Sequence, residues 1–257
     1  MAEFRRALAV GLLVPSPRTQ HSMKMTNASP SPSTITDLAT QWGLPDSEVA
    51  SAGLRLVADV SPAFLTNHCV RSYLFSREIA AAQKLLSGID YDEETLYLAC
   101  LLHDLGLTEF GAGEQRFEVE GADAAVRFLG DYNLPEDKLN AIWQAIALHA
   151  SIGLFNRFGP VPSIAGSAIS FDIDGRARDL FAADFLERVN RDWPRHDVGY
   201  AIVAAIADGP RSQPENPLKA PPFSLSAHAH EAINGAPHFR FSDIVQASGW
   251  GDQVPGF

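Results

Sequence analysis

The chain has 257 residues, of which 46% are hydrophobic, and this is enough apolar sequence to bury one sizeable core. The formal net charge is −11, with 4 lysines against 16 arginines, so the sequence lacks the basic patch that a phosphate backbone requires. No run of about 18 apolar residues suggests a membrane span. We expect one domain with tails that acts on a small-molecule substrate, without nucleic acid or membrane, and leave a homo-oligomer open.

The first 33 residues differ in composition from the rest of the chain. A short apolar stretch follows two arginines and leads into a Ser/Pro-rich run, which predicts a disordered tail. Because the segment is poor in acid, a mitochondrial targeting peptide is an alternative, and so is translation from Met23 or Met25. We otherwise expect a cytoplasmic protein, because Cys69 and Cys100 lie in apolar helical runs, as buried reduced thiols do.

The remaining sequence shows helical periodicity without sustained β-alternation, which predicts an all-α fold. Ser61 and Pro62 predict the cap and first turn of one helix, and Gly106 predicts the end of the next. The predicted helices cover residues 34–43, 47–60, 67–86, 92–106, 118–131, 135–149, 163–188, 194–207, 224–233 and 241–247. Five prolines between Pro210 and Pro222 mark a C-terminal extension, residues 209–257, which we expect to pack on a domain formed by residues 34–208.

Metal-binding side chains recur on consecutive predicted helices. His68 is followed 35 positions later by the adjacent pair His103 and Asp104. Asp172 interrupts an apolar run on a later helix and adds a second carboxylate, with Asp174 as its rival. Imidazole and carboxylate groups together suit zinc, iron or manganese. The structural alternative is that His68 is a core histidine, that the helix dipole places His103 and Asp104 at a helix end, and that Asp172 is a capped carboxylate.

Other polar side chains near these positions have less specific interpretations. Arg71 lies one helical turn after His68, where it would either orient a carboxylate of the metal site or be solvated. We do not place Arg195 or His196 in the site. Irregular spacing in Pro-rich sequence favours solvated positions over a second metal site for the three late histidines. These are His228, His230 and His238.

Six short motifs occur in order between residues 55 and 208. They are Ser61-Pro62, Asn67-His68-x-x-Arg71, Cys100-Leu101-Leu102-His103-Asp104, Phe117-Glu118-x-x-Gly121, Ile146-x-x-His149 and Trp193-Pro194-Arg195-His196. A lone His, a later His-Asp with Gly two residues on, and a late Asp resemble the HD-domain superfamily of metal-dependent hydrolases. In combination the motifs are similar to those of the cyanamide hydratase family. The resemblance implies an HD-domain helical bundle.

The resemblance also implies site residues. By position, the metal ligands would be His68, His103, Asp104 and Asp172. Zinc is the ion that the cyanamide hydratases imply, while other HD enzymes imply iron or manganese, sometimes as a pair. Two further residues would be catalytic, namely Glu118 as general acid/base, with Glu120 as its rival, and His149, which would bind substrate or a second ion. From the residues alone, Glu118 would be an acidic residue in the first turn of a helix, and His149 would be a surface histidine stabilised by the helix dipole.

The function implied is a metal-dependent hydratase, a lyase, in which metal-bound hydroxide adds to a small nitrile such as cyanamide and gives urea. One alternative is an HD-type phosphohydrolase of a nucleotide or small phosphate ester. The scarcity of lysine and arginine near the motifs weighs against it, because phosphate normally needs cations. Another is a non-catalytic metal-containing HD protein.

Overall fold

The computed structural model describes residues 32–248. The predicted N-terminal tail and the alternative targeting peptide therefore lie outside the described residues, except that Pro32 and Ser33 open the first helix. The end of the C-terminal extension, residues 249–257, lies outside them as well. Within residues 32–248 no helix is both long enough and apolar enough to cross a bilayer.

Residues 32–248 form eleven α-helices and no strand, which confirms the predicted all-α fold. In chain order they are α1 (Pro32–Gln41), α2 (Glu48–Val60), α3 (Ala63–Ala82), α4 (Glu93–Leu102), α5 (Phe117–Leu129), α6 (Glu136–Leu148), α7 (Pro160–Asp174), α8 (Ala183–Asp192), α9 (Val198–Ser212), α10 (Leu225–Asn234) and α11 (Phe241–Ala247). Short 3₁₀ turns lie at Leu105–Leu107, Gly130–Tyr132, Phe155–Arg157 and Arg178–Leu180.

The central helix is α4, in which every residue from Thr95 to Leu102 is buried. Its sequence is apolar nearly all round, so it is stable only when other helices cover every side. Helices α2, α3, α6 and α7 provide that cover, and α3 also packs extensively along α7. The end of α4 consequently meets the middle of α3 inside the protein.

The sequence predicted several helix ends incorrectly. Residues 163–188 were expected to form one helix, but Gly175 adopts a left-handed conformation with φ +65° and ends α7, so that α8 is separate. Ser61 does not cap α3: Pro62 occupies the N-cap position, and no side chain caps that end. Pro194 does not open α9, because His196 and Asp197 both have positive φ and delay the helix to Val198.

Helix α9 and the extension form a second, smaller apolar cluster. It joins Leu65 of α3 and Phe117 of α5 to Ile202 and Ile206 of α9 and to Ala229 of α10. Helix α9 runs to Ser212, past its predicted end at Ala207, with Pro210 inside its last turns. The boundary between domain and extension at residue 209 therefore falls within a continuous helix, and the division into domains stays a prediction.

Candidate metal centre

Two helices bring His68, His103 and Asp104 together. His68 lies within α3, whereas His103 caps the C-terminus of α4 and Asp104 has already left helical geometry, with φ −102° and ψ 12°. His103 Nε2 is 3.2 Å from His68 Nε2 and 3.1 Å from Asp104 Oδ2. One potential ligand atom from each of the three residues lies within 4.8 Å of the others, and all three residues are buried. These three side chains therefore lie close together, as the sequence predicted.

Each of the three imidazoles at or beside the centre is hydrogen-bonded through its Nδ1 atom. Nδ1 of His68 donates to Asp172 Oδ2 at 2.6 Å, Nδ1 of His103 donates to the Cys100 carbonyl at 2.7 Å, and Nδ1 of His149 donates to the Ile146 carbonyl at 2.7 Å. With the Nδ1 proton fixed in this way, Nε2 of each ring presents a lone pair. Second partners of this kind orient histidines that bind metals.

The donor set fits a divalent cation. Both oxygens of Asp104 are buried and accept no hydrogen bond, which is costly for a carboxylate unless a positive charge lies beside it. The lone pairs of His68 Nε2 and His103 Nε2 also face each other across 3.2 Å. An ion between two imidazole nitrogens and a carboxylate oxygen satisfies all three groups. His68, His103 and Asp104 would hold it.

Charges at the centre are arranged around Asp104. Burial alone would raise the pKa of its carboxyl group, but the neighbouring His103 outweighs this effect and lowers the pKa to about 2. Burial likewise lowers the pKa of His103, and Asp104 reverses that shift, so the pKa of His103 rises well above its ordinary value. Without an ion, His103 therefore carries a proton on Nε2, and a cation bound there would replace that proton. Burial and then the charge of His103 lower the pKa of His149 to about 4. His149 is therefore neutral at neutral pH.

Asp172 lies behind the His68 ring, on its Nδ1 side. Its Oδ1 accepts from Arg71 Nε at 2.9 Å and from Arg195 Nη1 at 2.7 Å, and its Oδ2 accepts from Arg71 Nη2 at 2.7 Å as well as from His68. Four N–H donors thus engage the carboxylate that was expected to be the fourth ligand. In this arrangement Asp172 orients His68, and direct binding of the ion by Asp172 stays a prediction.

The choice of Asp172 over Asp174 agrees with the geometry. Asp174 lies at the end of α7, where it pairs with Arg176 at 2.6 Å on the protein surface. Asp172 is buried, and its pKa lies well below the usual range: burial raises it, and the hydrogen bonds from His68 and Arg71 reverse the shift. Of the two rival carboxylates, only Asp172 contacts a histidine of the centre.

Arg71 and Arg195 fix Asp172 from two sides. Arg71 is fully buried, and its Nη1 also donates to the carbonyls of Trp193 and Pro194, at 2.9 and 3.0 Å. Arg195 Nη2 donates to the Asp172 carbonyl at 2.6 Å. Arg195 was not among the predicted site residues. The available signal was its position directly after Trp193-Pro194 in one of the six motifs.

The two predicted catalytic residues lie beside the centre. His149 caps the C-terminus of α6, with Nε2 at 3.9 Å from Asp104 Oδ1 and its ring centroid 4.9 Å from that of His103. Glu118 is fully buried in the first turn of α5, close enough for its charge to raise the pKa of His149. Its carboxylate accepts from Arg116 Nε at 3.1 Å and Nη2 at 2.6 Å.

Glu120, the rival of Glu118, has a different set of partners. Both of its oxygens accept from Lys219 Nζ at 2.9 Å, and Oε1 also accepts from the Gln115 N–H at 2.8 Å. Lys219 belongs to the C-terminal extension, so Glu120 connects that extension to the start of α5. Glu120 therefore faces Lys219, whereas the charge of Glu118 acts on His149, which favours Glu118 as the acidic residue near His149.

Close backbone packing explains two glycines of the motifs. A Cβ atom at Gly106 would lie 2.0 Å from the carbonyl oxygen of Phe117, and one at Gly121 would lie 3.0 Å from that of His103. The turn after Asp104 therefore contacts the first turns of α5 directly. This contact places Glu118 next to the histidines.

The late histidines form no comparable group. The rings of His230 and His238 have centroids 5.0 Å apart, and His238 Nε2 contacts the Asn216 carbonyl at 3.1 Å. His228 is exposed on α10. Across residues 32–248, His68, His103 and Asp104 are the side chains that gather as a metal site.

Comparison with known proteins agrees with this geometry. The family model described as "HD domain" matches residues 65–208. The chain is 28% identical over 159 residues to the cyanamide hydratases DDI2 and DDI3 of Saccharomyces cerevisiae. In each case the alignment covers 59% of this chain and 68% of the yeast protein.

Proposed function

The chain belongs to the HD-domain family, and we propose that it is a metal-dependent hydratase that adds water to a small nitrile such as cyanamide to give urea. Membership confirms the resemblance predicted from the motifs. It makes the protein a metal-dependent hydratase or hydrolase, and the nitrile substrate is the finer part of the proposal. That part is supported by the similarity to two proteins named cyanamide hydratases and by the enclosure of the centre.

The ion would be held by His68, His103 and Asp104. Two imidazoles with a carboxylate suit zinc best, and iron or manganese accept the same donors. When bound, a divalent ion lowers the pKa of water at the site towards about 7 and so supplies the nucleophile at neutral pH. Asp172 keeps His68 in the tautomer that presents Nε2.

Enclosure of the centre is the observation that carries the choice of substrate. His68, His103, Asp104 and His149 are between 0% and 6% exposed. A nucleotide is too large to reach atoms buried to this extent without rearrangement of the surrounding helices. A linear molecule of a few atoms fits much more readily beside them.

The nearby cations give a second argument against phosphate esters. Arg71 and Arg195 both bind Asp172, Arg116 binds Glu118, and Lys219 binds Glu120. Phosphate recognition normally uses cationic donors that face the ligand. The cations near the centre, within the described part of the chain, are instead committed to carboxylates. An uncharged substrate matches this arrangement better than a phosphate ester.

Proton transfer is proposed to run through His149. Its Nδ1 proton is held by the Ile146 carbonyl, so Nε2 of the neutral ring would accept a proton from water as the oxygen bonds to the nitrile carbon. The same nitrogen then returns the proton to the nitrile nitrogen, and tautomerisation of the adduct gives urea. Water is consumed and no group leaves. Glu118, held by Arg116, sets the charge next to His149.

Product analysis of the purified protein tests this proposal. We expect urea from cyanamide, no phosphate from a nucleotide panel, and loss of urea formation in His103→Ala. His228→Ala, a matched change of an exposed histidine on α10, should retain activity. Phosphate release that depends on His103, without urea, would replace the hydratase with the phosphohydrolase. A metal-loaded protein that yields neither product would support the non-catalytic alternative.

A further inference from the structure

A cleft of about 470 Å³ lies beside the metal centre, between the turn that follows Asp104 and the C-terminal half of α9. The turn contributes residues 106–109, α5 contributes Phe117, and α9 contributes Ala205 and Ile206. Residues 208–213, Lys219 and Ser226 line the remainder, together with Ala112. We refer to this space as the α9 cleft. His68, His103, Asp104 and His149 do not line the α9 cleft.

Phe117 is the side chain that contacts both the α9 cleft and the centre. It lines the cleft, and its ring centroid is 5.5 Å from that of His149, with the planes at 68°. His149 Nε2 is in turn 3.9 Å from Asp104 Oδ1. One layer of side chains therefore separates the cleft from the ligand atoms.

The backbone of Phe117 is fixed by its position in α5 and by its contact with Gly106. It opens α5, and its carbonyl oxygen packs against Gly106, where a Cβ atom would lie only 2.0 Å away. The ring lies in the small apolar cluster with Ile202 and Ile206. Rotation of a phenyl ring about its side-chain torsions changes the opening between cleft and centre without moving α5.

Other approaches to the centre are closed by buried groups. Asp172 and Arg71 fill the space behind His68, and both are buried. Helix α4 behind His103 is covered on all sides. Beyond His149 the chain enters a loop in which Ile152 is exposed, and this loop is the competing route.

The charges of the α9 cleft suit a neutral molecule. Arg211 pairs with Asp208 on α9, and Lys219 pairs with Glu120. Its cationic groups therefore already have carboxylate partners, so the cleft offers little attraction to an anion. A small polar neutral molecule crosses such a surface without loss of an ionic hydration shell.

We propose that the α9 cleft is the entrance through which small neutral nitriles reach the metal centre, and that Phe117 sets the size that passes. The substrate class rests on the proposed function, whereas the route does not, because it concerns the access of any small species to the centre. Phe117 is thus a specificity-determining residue. It admits linear molecules and excludes branched or aromatic nitriles.

Blocking the entrance tests the route. Ala205 lines the cleft, and a cysteine introduced there is labelled with a bulky maleimide. The control is Ala204→Cys with the same label, because Ala204 is exposed on the same helix and does not line the cleft. Cys69 and Cys100 do not compete, because both thiols are buried. Labelled Ala205→Cys should take up zinc at least tenfold more slowly after metal removal, while labelled Ala204→Cys should match the unlabelled protein.

The zinc readout separates the two proposals. If the protein forms no urea from cyanamide, the rate of zinc uptake still tests the entrance. Equal uptake by the two labelled variants would refute it. A label on Ile152→Cys that slows uptake, with no effect at position 205, would assign the route to the loop after His149 instead.

The role of Phe117 is tested by substrate size. Phe117→Leu should raise kcat/KM for phenylcyanamide relative to cyanamide at least tenfold, because the smaller side chain widens the opening. Phe110→Leu changes an aromatic residue in the segment that leads into α5, and because Phe110 does not line the cleft, it should leave the ratio unchanged. An unchanged ratio of the two kcat/KM values in a folded, zinc-loaded Phe117→Leu protein would overturn the assignment of Phe117 as the size filter. If that variant does not fold, the maleimide experiment still tests the entrance.

Discussion

Replacement of Lys219 by Met should destabilise the protein strongly, although Lys219 lies in a Pro-rich extension. Its Nζ donates to both oxygens of Glu120 at 2.9 Å and to the Gly113 carbonyl at 3.3 Å. The two side chains are only 7% and 4% exposed. Without Lys219, the Glu120 carboxylate stays buried with the Gln115 N–H as its remaining donor. Removal of one partner from such a pair costs about 3–5 kcal/mol.

The chain contains a matched control. Lys138 Nζ bonds Asp92 at the same distance of 2.9 Å, but these side chains are 30% and 44% exposed. Water compensates the charge that remains after Lys138→Met, so this change should cost about 0–1 kcal/mol. The comparison isolates burial as the cause, since the bond lengths are equal.

Urea unfolding curves of the two variants and of Lys219→Met/Glu120→Gln measure these free energies. The double variant removes both buried charges, so it should recover most of the loss caused by Lys219→Met alone. The reasoning is refuted if Lys219→Met and Lys138→Met have the same unfolding free energy within about 0.5 kcal/mol. It is also refuted if the double variant is less stable than Lys219→Met.

Two further predictions concern the centre and its packing. Asp172→Asn should weaken metal affinity about 10–100-fold, because the amide no longer holds His68 as a carboxylate does. Asp174→Asn is the control and should leave the affinity unchanged. Competition with a chromophoric chelator measures the affinity of both variants, and equal affinities would contradict the role of Asp172. Gly106→Ala should lower the free energy of unfolding by about 1–3 kcal/mol or more, because its Cβ would meet the Phe117 carbonyl at 2.0 Å. Gly130→Ala is the control, because Gly130 has an α-helical φ of −58° and open space around it. It should be neutral or stabilising by about 0.4–1 kcal/mol in the same urea unfolding measurements. A similar loss of stability in both variants would refute the packing argument.

The sequence predicted the side chains of the centre better than their directions. His68, His103 and Asp104 could be found because their residue chemistry near a helix end is a local signal, although α4 ends at Leu102 and not at the predicted stop, Gly106. The position of Asp172 behind His68 could not, because a sequence specifies which face a residue occupies but not which atom of a neighbouring ring it meets.

Long-range and left-handed features were the least predictable. Arg195 reaches Asp172 from a turn in which His196 and Asp197 have positive φ, a conformation that is uncommon outside glycine even though His and Asp are enriched in it. Lys219 bonds a carboxylate 99 positions away, from a stretch without helical periodicity. Helices α7 and α8 were merged because apolar residues continue across Gly175, whose left-handed conformation separates them.

Urea formation before metal removal, after it, and after zinc is restored tests the central claim most directly. Activity on cyanamide should disappear when the metal is removed and return in proportion to added zinc, up to about one ion per chain. Asp104→Asn, which keeps the shape of the side chain but removes its charge, should neither retain zinc nor recover activity. Urea formation that survives complete removal of metal, or zinc that binds Asp104→Asn as tightly as the natural protein, would contradict the account.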